Sequence, residues 1–296
     1  MSNLKQADFA ISSYQDRLDA DEQQRLAFFR ALWEGQACLS AVLTPAYEVP
    51  GVERLRYLTR NEIPVLADQP VKLDGRALAE ASSRMAVVMC EKGGFADEVC
   101  EELRNVDWQC VCGPAADFAG KYPEAYVDYA HTSLAQAEMS AAAVSAGASA
   151  ASLGLRALLE PIATAVMKVR EGAGLTKPHP VKCPVCGCGA TLAIVGASSE
   201  TSGGMRELWC GQCGARWEYD RVRCARCGTR NQGHLHYYHI EPDEAHRIAT
   251  CDECGGYIRT VFQENVMMPI SPDVEDVVMI KLDMLAAQHM EATAQE

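Results

Sequence analysis

The sequence is poor in positive charge. Its 296 residues include 27 lysines and arginines against 40 aspartates and glutamates, a formal charge of −13. Domains that hold a phosphate backbone nonspecifically are usually net basic, so the balance argues against that class. Aromatic residues make up only 7% of the chain, and no basic strip interleaved with aromatics is present to stack on bases. Long apolar runs are lacking as well. The longest uncharged stretch, Met139 to Leu155, is mostly Ala, Ser and Gly, too short and too weakly apolar to span a bilayer. The opening residues, Met-Ser-Asn-Leu-Lys-Gln-Ala-Asp, meet charge before a secretory apolar core can form. Gly-rich phosphate loops, nucleophile elbows and H-E-x-x-H helices are absent too. These absences lead us to expect a cytoplasmic protein that is not an enzyme, does not enter a membrane and does not bind nucleic acid.

What remains is an ordinary globular composition, 48% hydrophobic and 23% charged, enough for one large or two modest domains. Residues 1–175 read as an all-α domain. Asp21 looks like an N-cap, with Phe28, Leu32, Leu39 and Leu43 recurring behind it at helical spacing. From Asp74, residues Leu78, Ala81, Met85, Val88 and Met89 share a face until Gly93-Gly94. Tyr122-Pro123-Glu124 opens another helix. An Ala-rich helix is expected from about Ser149 to Arg170, kinked at Pro161. Asp97, Glu98, Glu101 and Glu102 fall at helical spacing and read as a solvated face.

Gly172-Ala173-Gly174 and Lys177-Pro178-His179-Pro180 mark a linker, taken as 176–182. Beyond it come short β-type runs, Thr191–Val195 and His236–Ile240. Residues 265–296 are expected to form a C-terminal helix and tail, capped at Ser271-Pro272-Asp273, with Val274, Val277, Val278, Leu282 and Leu285 on one stripe.

The cysteines carry the chemistry. Of 14, nine lie between Cys183 and Cys254, and eight of these form C-x-x-C pairs: Cys183/Cys186, Cys210/Cys213, Cys224/Cys227 and Cys251/Cys254. Each half of this region reads C-x2-C-x23-C-x2-C, and a shift of 41 residues superimposes all eight, carrying Gly187 onto Gly228 and Gly214 onto Gly255. The chain therefore contains a duplication, in modules 183–222 and 223–264. Two residues between thiolates let one tight turn offer both sulfurs to one ion, and a glycine just after the second cysteine permits positive φ. Two facing turns complete a tetrahedral four-thiolate site, and the residues between them supply a short antiparallel sheet. Equal spans favour one ion on Cys183, Cys186, Cys210 and Cys213 and a second on Cys224, Cys227, Cys251 and Cys254. Zinc and iron both accept this ligand set.

Other candidates read as supporting residues. Cys188 is matched by Thr229 in the repeat, so it is a sulfur near the first site and not a ligand. Cys110-Val111-Cys112 is too closely spaced for a knuckle. His234, His236 and His239 are polar residues of the connecting strands. Arg206, Arg216, Arg221, Arg223, Arg226 and Arg230 offset the negative charge of the thiolates or form a basic docking patch for an acidic partner segment.

Taken together, Cys-Pro-Val-Cys-Gly, Leu-Trp-Cys-Gly-Gln-Cys with Arg-Trp-Glu, Arg-Val-Arg-Cys-Ala-Arg-Cys, His-Leu-His-Tyr-Tyr and Cys-Asp-Glu-Cys-Gly-Gly-Tyr-Ile-Arg resemble the FdhE family of formate dehydrogenase accessory proteins. The resemblance covers roughly residues 181–290. It implies a multi-domain α+β protein: an N-terminal helical domain, two tandem rubredoxin-like (zinc-ribbon-like) modules and a C-terminal helix. It also implies a cytoplasmic assembly role, binding the catalytic subunit of a molybdenum- or tungsten-dependent formate dehydrogenase during maturation. Two further readings stay open: a rubredoxin-like iron protein that acts on a client's thiols or cluster, and a zinc-ribbon nucleic-acid binder.

Overall fold

The computed structural model describes residues 2–196, 206–263 and 270–293. Its N-terminal part is helical: α1 (Ser2–Tyr14), α2 (Ala20–Leu43), α3 (Val52–Arg60), α4 (Val65–Asp68), α5 (Gly75–Lys92), α6 (Asp97–Arg104), α7 (Trp108–Cys112), α8 (Ala116–Ala119), α9 (Pro123–Gln136) and α10 (Ala141–Gly172). Strands β1 (Leu192–Val195), β2 (Arg206–Trp209), β3 (Arg216–Tyr219), β4 (Leu235–Tyr238), β5 (His246–Cys251) and β6 (Tyr257–Phe262) follow, then α11 (Pro272–Val278) and α12 (Ile280–Thr293).

Helix α2 begins earlier than its acidic turn suggested. Asp19, not Asp21, is the cap: its carboxylate accepts from Glu22 N while Glu22 accepts from Asp19 N, a reciprocal capping box. Asp74 caps α5 as expected, accepting from Arg76 N and Ala77 N. In α5, Leu78, Ala81, Met85 and Met89 are buried and Val88 packs at their edge.

Helix α10 is the axis of the bundle, packed against α2, α5 and α9. It starts eight residues before the expected Ser149, capped by the Ser140 hydroxyl on Ala143 N. By length and apolarity it could cross a membrane, but most of its side chains are buried in the bundle, as in a core helix. Small residues let its neighbours approach closely. A Cβ added at Gly154 would lie 2.7 Å from Ser82 N of α5.

Pro161 sits inside α10 and the helix runs on through it. Proline has no N–H to give to the carbonyl four residues back, which would orphan Ala157 O. Ser40 of α2 fills the gap, its hydroxyl donating to Ala157 O at 2.6 Å, and Gln36 donates to Leu153 O one turn earlier at 3.0 Å.

The strands form one six-stranded sheet, in the order β3-β2-β1-β6-β5-β4. Within each half the pairing is antiparallel, and the halves join through the parallel pair β1–β6, with Leu192 opposite Arg259 and Val195 opposite Phe262. One face of the sheet packs Leu192, Ile194, Trp209 and Val261 against Ile270, Met279 and Leu282. The other face sends Ala193, Leu208, Trp217 and Tyr219 into the same apolar cluster as Leu55, Leu66, Met85 and Leu158 of the helices. The core therefore runs across the point where helix gives way to strand.

The expected single C-terminal helix is two, parted at Met279. Ser271 precedes α11 in extended conformation without a side-chain cap bond. Val274 and Val277 are buried but Leu285 is exposed. Of the expected C-terminal helix and tail, residues 265–269 and 294–296 lie outside the described residues, as does residue 264 of the second module.

A buried polar knot fixes this terminus. Glu275 Oε2 of α11 accepts from Tyr14 Oη of α1 at 2.6 Å and lies 2.9 Å from His246 Nε2 of β5, whose Nδ1 is 2.7 Å from Asp243. Burial alone would lower the His246 pKa, but Asp243 and Glu275 outweigh it and raise it from 6.5 to about 9.

Two outcomes follow. Ser40→Ala leaves the Ala157 carbonyl buried without a donor and lowers unfolding stability by about 1–3 kcal/mol, measured by denaturant titration. The imidazolium of His246 contributes stability that is complete below its unfolded pKa and lost as pH rises through about 9, up to roughly 3 kcal/mol. The melting temperature should fall between neutral pH and pH about 9–10, and His246→Gln should flatten that fall; an unchanged slope would rule out this titration.

Candidate metal centres

All four C-x-x-C turns close in the same way. The N–H of the glycine after the second cysteine donates to the carbonyl of the first: Gly187 to Cys183 (3.0 Å), Gly214 to Cys210 (2.8 Å), Gly228 to Cys224 (3.1 Å) and Gly255 to Cys251 (2.9 Å). The first cysteine's N–H then donates two residues beyond the second cysteine, to Cys188, Ala215, Thr229 and Gly256 in turn. This closure requires positive φ, and the four glycines have φ of 81, 73, 80 and 65°. An N–H to sulfur bond is added in the third turn, where Arg226 N lies 3.3 Å from Cys224 Sγ.

The eight sulfurs gather four and four in the sequential pairing that equal spans favoured, each group within 4.8 Å. Measured separations are 3.6 Å for Cys183–Cys213, 3.5 Å for Cys186–Cys210, 3.8 Å for Cys224–Cys254 and 3.9 Å for Cys227–Cys251. A tetrahedron of thiolates about 2.3 Å from a central ion has edges of about 3.8 Å. The separations fit that tetrahedron and are far too long for disulfides, and every cysteine is a free thiol. Either group could therefore hold a metal ion with all four positions filled.

The two groups differ in their surroundings. In the first, all four cysteines are buried. Its opening turn docks on α4, with Val65 N and Leu66 N donating to Pro184 O (3.0 Å) and Val185 O (2.9 Å). Its second turn docks on α10 through paired Gln212–Ser152 hydrogen bonds, with Gly214 against Glu160. Arg170 of α10 is buried beside Cys183 and held by Thr59 Oγ1 and Leu175 O; burial lowers its pKa and the Cys183 sulfur works against that. The second group sits at the rim, with Cys227 and Cys254 exposed. Burial works to raise the Cys224 thiol, yet the backbone N–H groups of Cys227 and Arg226 and neighbouring thiols bring it down to about 7.

Cys188 is buried within reach of Cys186 and Cys210, outside the four-sulfur group. Cys110 is exposed on Asp107, whereas Cys112 is buried against Tyr126 Oη (3.2 Å), so the two do not converge. His236 pairs with Asp252 at 2.9 Å and His234 lies 3.6 Å from Glu253, tying β4 to the fourth turn. His239 lies against Asp243 O. Asp97, Glu98 and Glu101 face solvent, while Glu102 accepts from Ser140 N. Of the arginines, Arg216 pairs with Glu207 and Arg230 with Asp220. Arg170 and the His246–Glu275 pair had no sequence signal, because their partners lie far away in the chain.

A helical bundle whose core takes in one closed four-cysteine group, with a second such group on a continuous sheet, defines a protein of paired rubredoxin-like modules. Residues 222–295 match the family described as "FdhE, C-terminal domain". The chain is 34% identical over 84 residues to an FdhE homolog of Shewanella baltica, covering 28% of this chain and 27% of that protein. It is 35% identical over 83 residues to FdhE of Escherichia coli O1:K1, covering 28% and 26%. The chain thus aligns with about a quarter of the length of these curated relatives. The crystal structure of the FdhE protein from Pseudomonas aeruginosa superimposes with a TM-score of 0.57 at 20% identity, over 97% of this chain and 90% of that one. Residues 222–295 are thus similar to the C-terminal domain of FdhE proteins, and the fold of the chain as a whole is like that of the Pseudomonas aeruginosa FdhE protein.

The turn glycines give a graded test. Gly255→Ala meets open space and should cost only the left-handed backbone penalty, about 1 kcal/mol. Gly187→Ala also presses on Pro64, 3.1 Å away, where the module meets the helices, so its loss in thermal stability should be larger.

Proposed function

We propose that this protein is a non-catalytic maturation factor for a formate dehydrogenase, binding the immature catalytic subunit in the cytoplasm. In this reading the helical part (1–175) and the linker (176–182) carry two metal modules (183–222 and 223–264), and each module holds one zinc or iron ion. The ligands are Cys183, Cys186, Cys210 and Cys213 in the first and Cys224, Cys227, Cys251 and Cys254 in the second. The observation that carries the reading is the closed tetrahedral sulfur geometry, with the first group inside the core shared with the helices. Four thiolates leave an ion no open position for substrate, so the ions brace a surface. The similarity of residues 222–295 to the C-terminal domain of FdhE proteins supports formate dehydrogenase as the client.

Deleting the gene should abolish active formate dehydrogenase, and the tagged protein should copurify with the catalytic subunit; a deletion strain with full activity would refute the assignment. Ligation has its own readout. With ions bound, only Cys38 and Cys110 among the exposed thiols react rapidly with a thiol reagent, and a chelator adds Cys227 and Cys254. If those two react rapidly in protein purified anaerobically without chelator, the second group holds no ion. A reversible visible absorbance under reductant would identify iron, and a colourless protein with two ions per chain would identify zinc.

A further inference from the structure

On the sheet face opposite α11 and α12, beside the Cys224–Cys227 turn, lies a cavity of about 400 Å³. Its walls carry Arg206, Arg221, Arg223, Arg226 and Arg247 and, among the described residues, no aspartate or glutamate. In a chain with a formal charge of −13 that is a local inversion of sign. Only Arg223 of the five has a described carboxylate partner, Asp220 at 3.5 Å. Arg206 is the most telling. It is 3% exposed, its Nη1 donates to Arg223 O at 2.9 Å, and its buried Nε has no partner. Its guanidinium lies over the Tyr219 ring (5.8 Å) and near the Cys224 sulfur, but no described carboxylate pairs with it, and an anion in the cavity would give its buried Nε an acceptor. Arg226 is preset, its Nε and Nη1 fixed on Tyr257 O (2.9 Å) and Ala190 O (3.2 Å).

From this geometry we infer that the cavity is a docking site for an acidic peptide segment of a partner protein, carboxylates on the arginines and an apolar side chain on the wall of Val222 and Ile258. The surroundings favour a peptide over a nucleotide. Phe262 is already covered by Arg247 (4.2 Å) and edged by Tyr237 (5.6 Å), so its ring is not open to stack on a base. The N–H groups of Arg226 and Cys227 are turned to the Cys224 sulfur and are not free to cradle phosphate. The cavity opens beside β4, the last strand of the sheet, where Tyr237 and Tyr238 are exposed. This site rests on the reading of the protein as a client-binding factor, and it names the chemistry of the contact.

The test is fluorescence anisotropy of the full-length protein with a labelled peptide alternating Glu-Glu and Leu, against the same peptide with Gln for Glu. The acidic peptide should bind, and more weakly as salt rises. Arg221→Gln and Arg247→Gln should each weaken it about tenfold, the usual loss for a hydrogen bond to a charged group. Arg230→Gln, outside the cavity on Asp220, should leave affinity unchanged. The site is overturned if the acidic peptide fails to bind, if its Gln counterpart binds equally, if Arg230→Gln weakens binding as much, or if ATP or pyrophosphate displaces the peptide at lower concentration than unlabelled peptide does. Arg221 is exposed, so its variant tests the site without disturbing the core. No formate dehydrogenase enters the measurement, so failure here leaves the maturation role to stand or fall on the deletion strain.

Discussion

Two backbone hydrogen bonds, from Val65 and Leu66 to the carbonyls of Pro184 and Val185, join what composition alone would separate. They seat the first cysteine turn on a helix, and with Gln212 on Ser152 they place four buried sulfurs where bundle and sheet meet. Around them Trp217 donates its indole N–H to Pro180 O and Tyr219 its hydroxyl to Cys224 O, so the strands are tied to the incoming linker and to the second module. The sulfur geometry and the helix packing therefore constrain each other, and the helical part cannot be treated as a passive neighbour.

Duplication has produced two copies with unequal surroundings. One copy is enclosed and braced by Arg170; the other keeps Cys227 and Cys254 at the surface beside an arginine-walled cavity. Similar turns thus sit in different settings, the first inside the core shared with the helices and the second partly at the surface.

Much of the site was legible in the sequence, because C-x-x-C pairs with a following glycine encode their own local geometry. The helical half was legible in outline. Its details depended on distant partners. Asp19 rather than Asp21 caps α2 because Glu22 stands three residues on and reciprocates. Helix α10 begins at Ala141 because Ser140 caps it and Glu102 takes the Ser140 N–H from another helix. Pro161 does not end its helix because Ser40, 117 residues away in the contact to Ala157, replaces the missing donor. No local pattern announces such a substitute. The same holds for the continuous sheet, since nothing in either repeat indicates that β1 will pair with β6.

That β1–β6 pair has a consequence for how the architecture could change. It joins the first strand of one copy to the third strand of the next, in parallel, which is a translational union and not a twofold one. At the ends of the sheet the complementary strands, β3 and β4, occupy the outer positions. An additional unit of the same kind could be laid beyond β4 by repeating the junction already in place, without altering either cysteine cluster. The arrangement is modular and open-ended, so a lineage could lengthen it by tandem insertion and leave the helical base as it is.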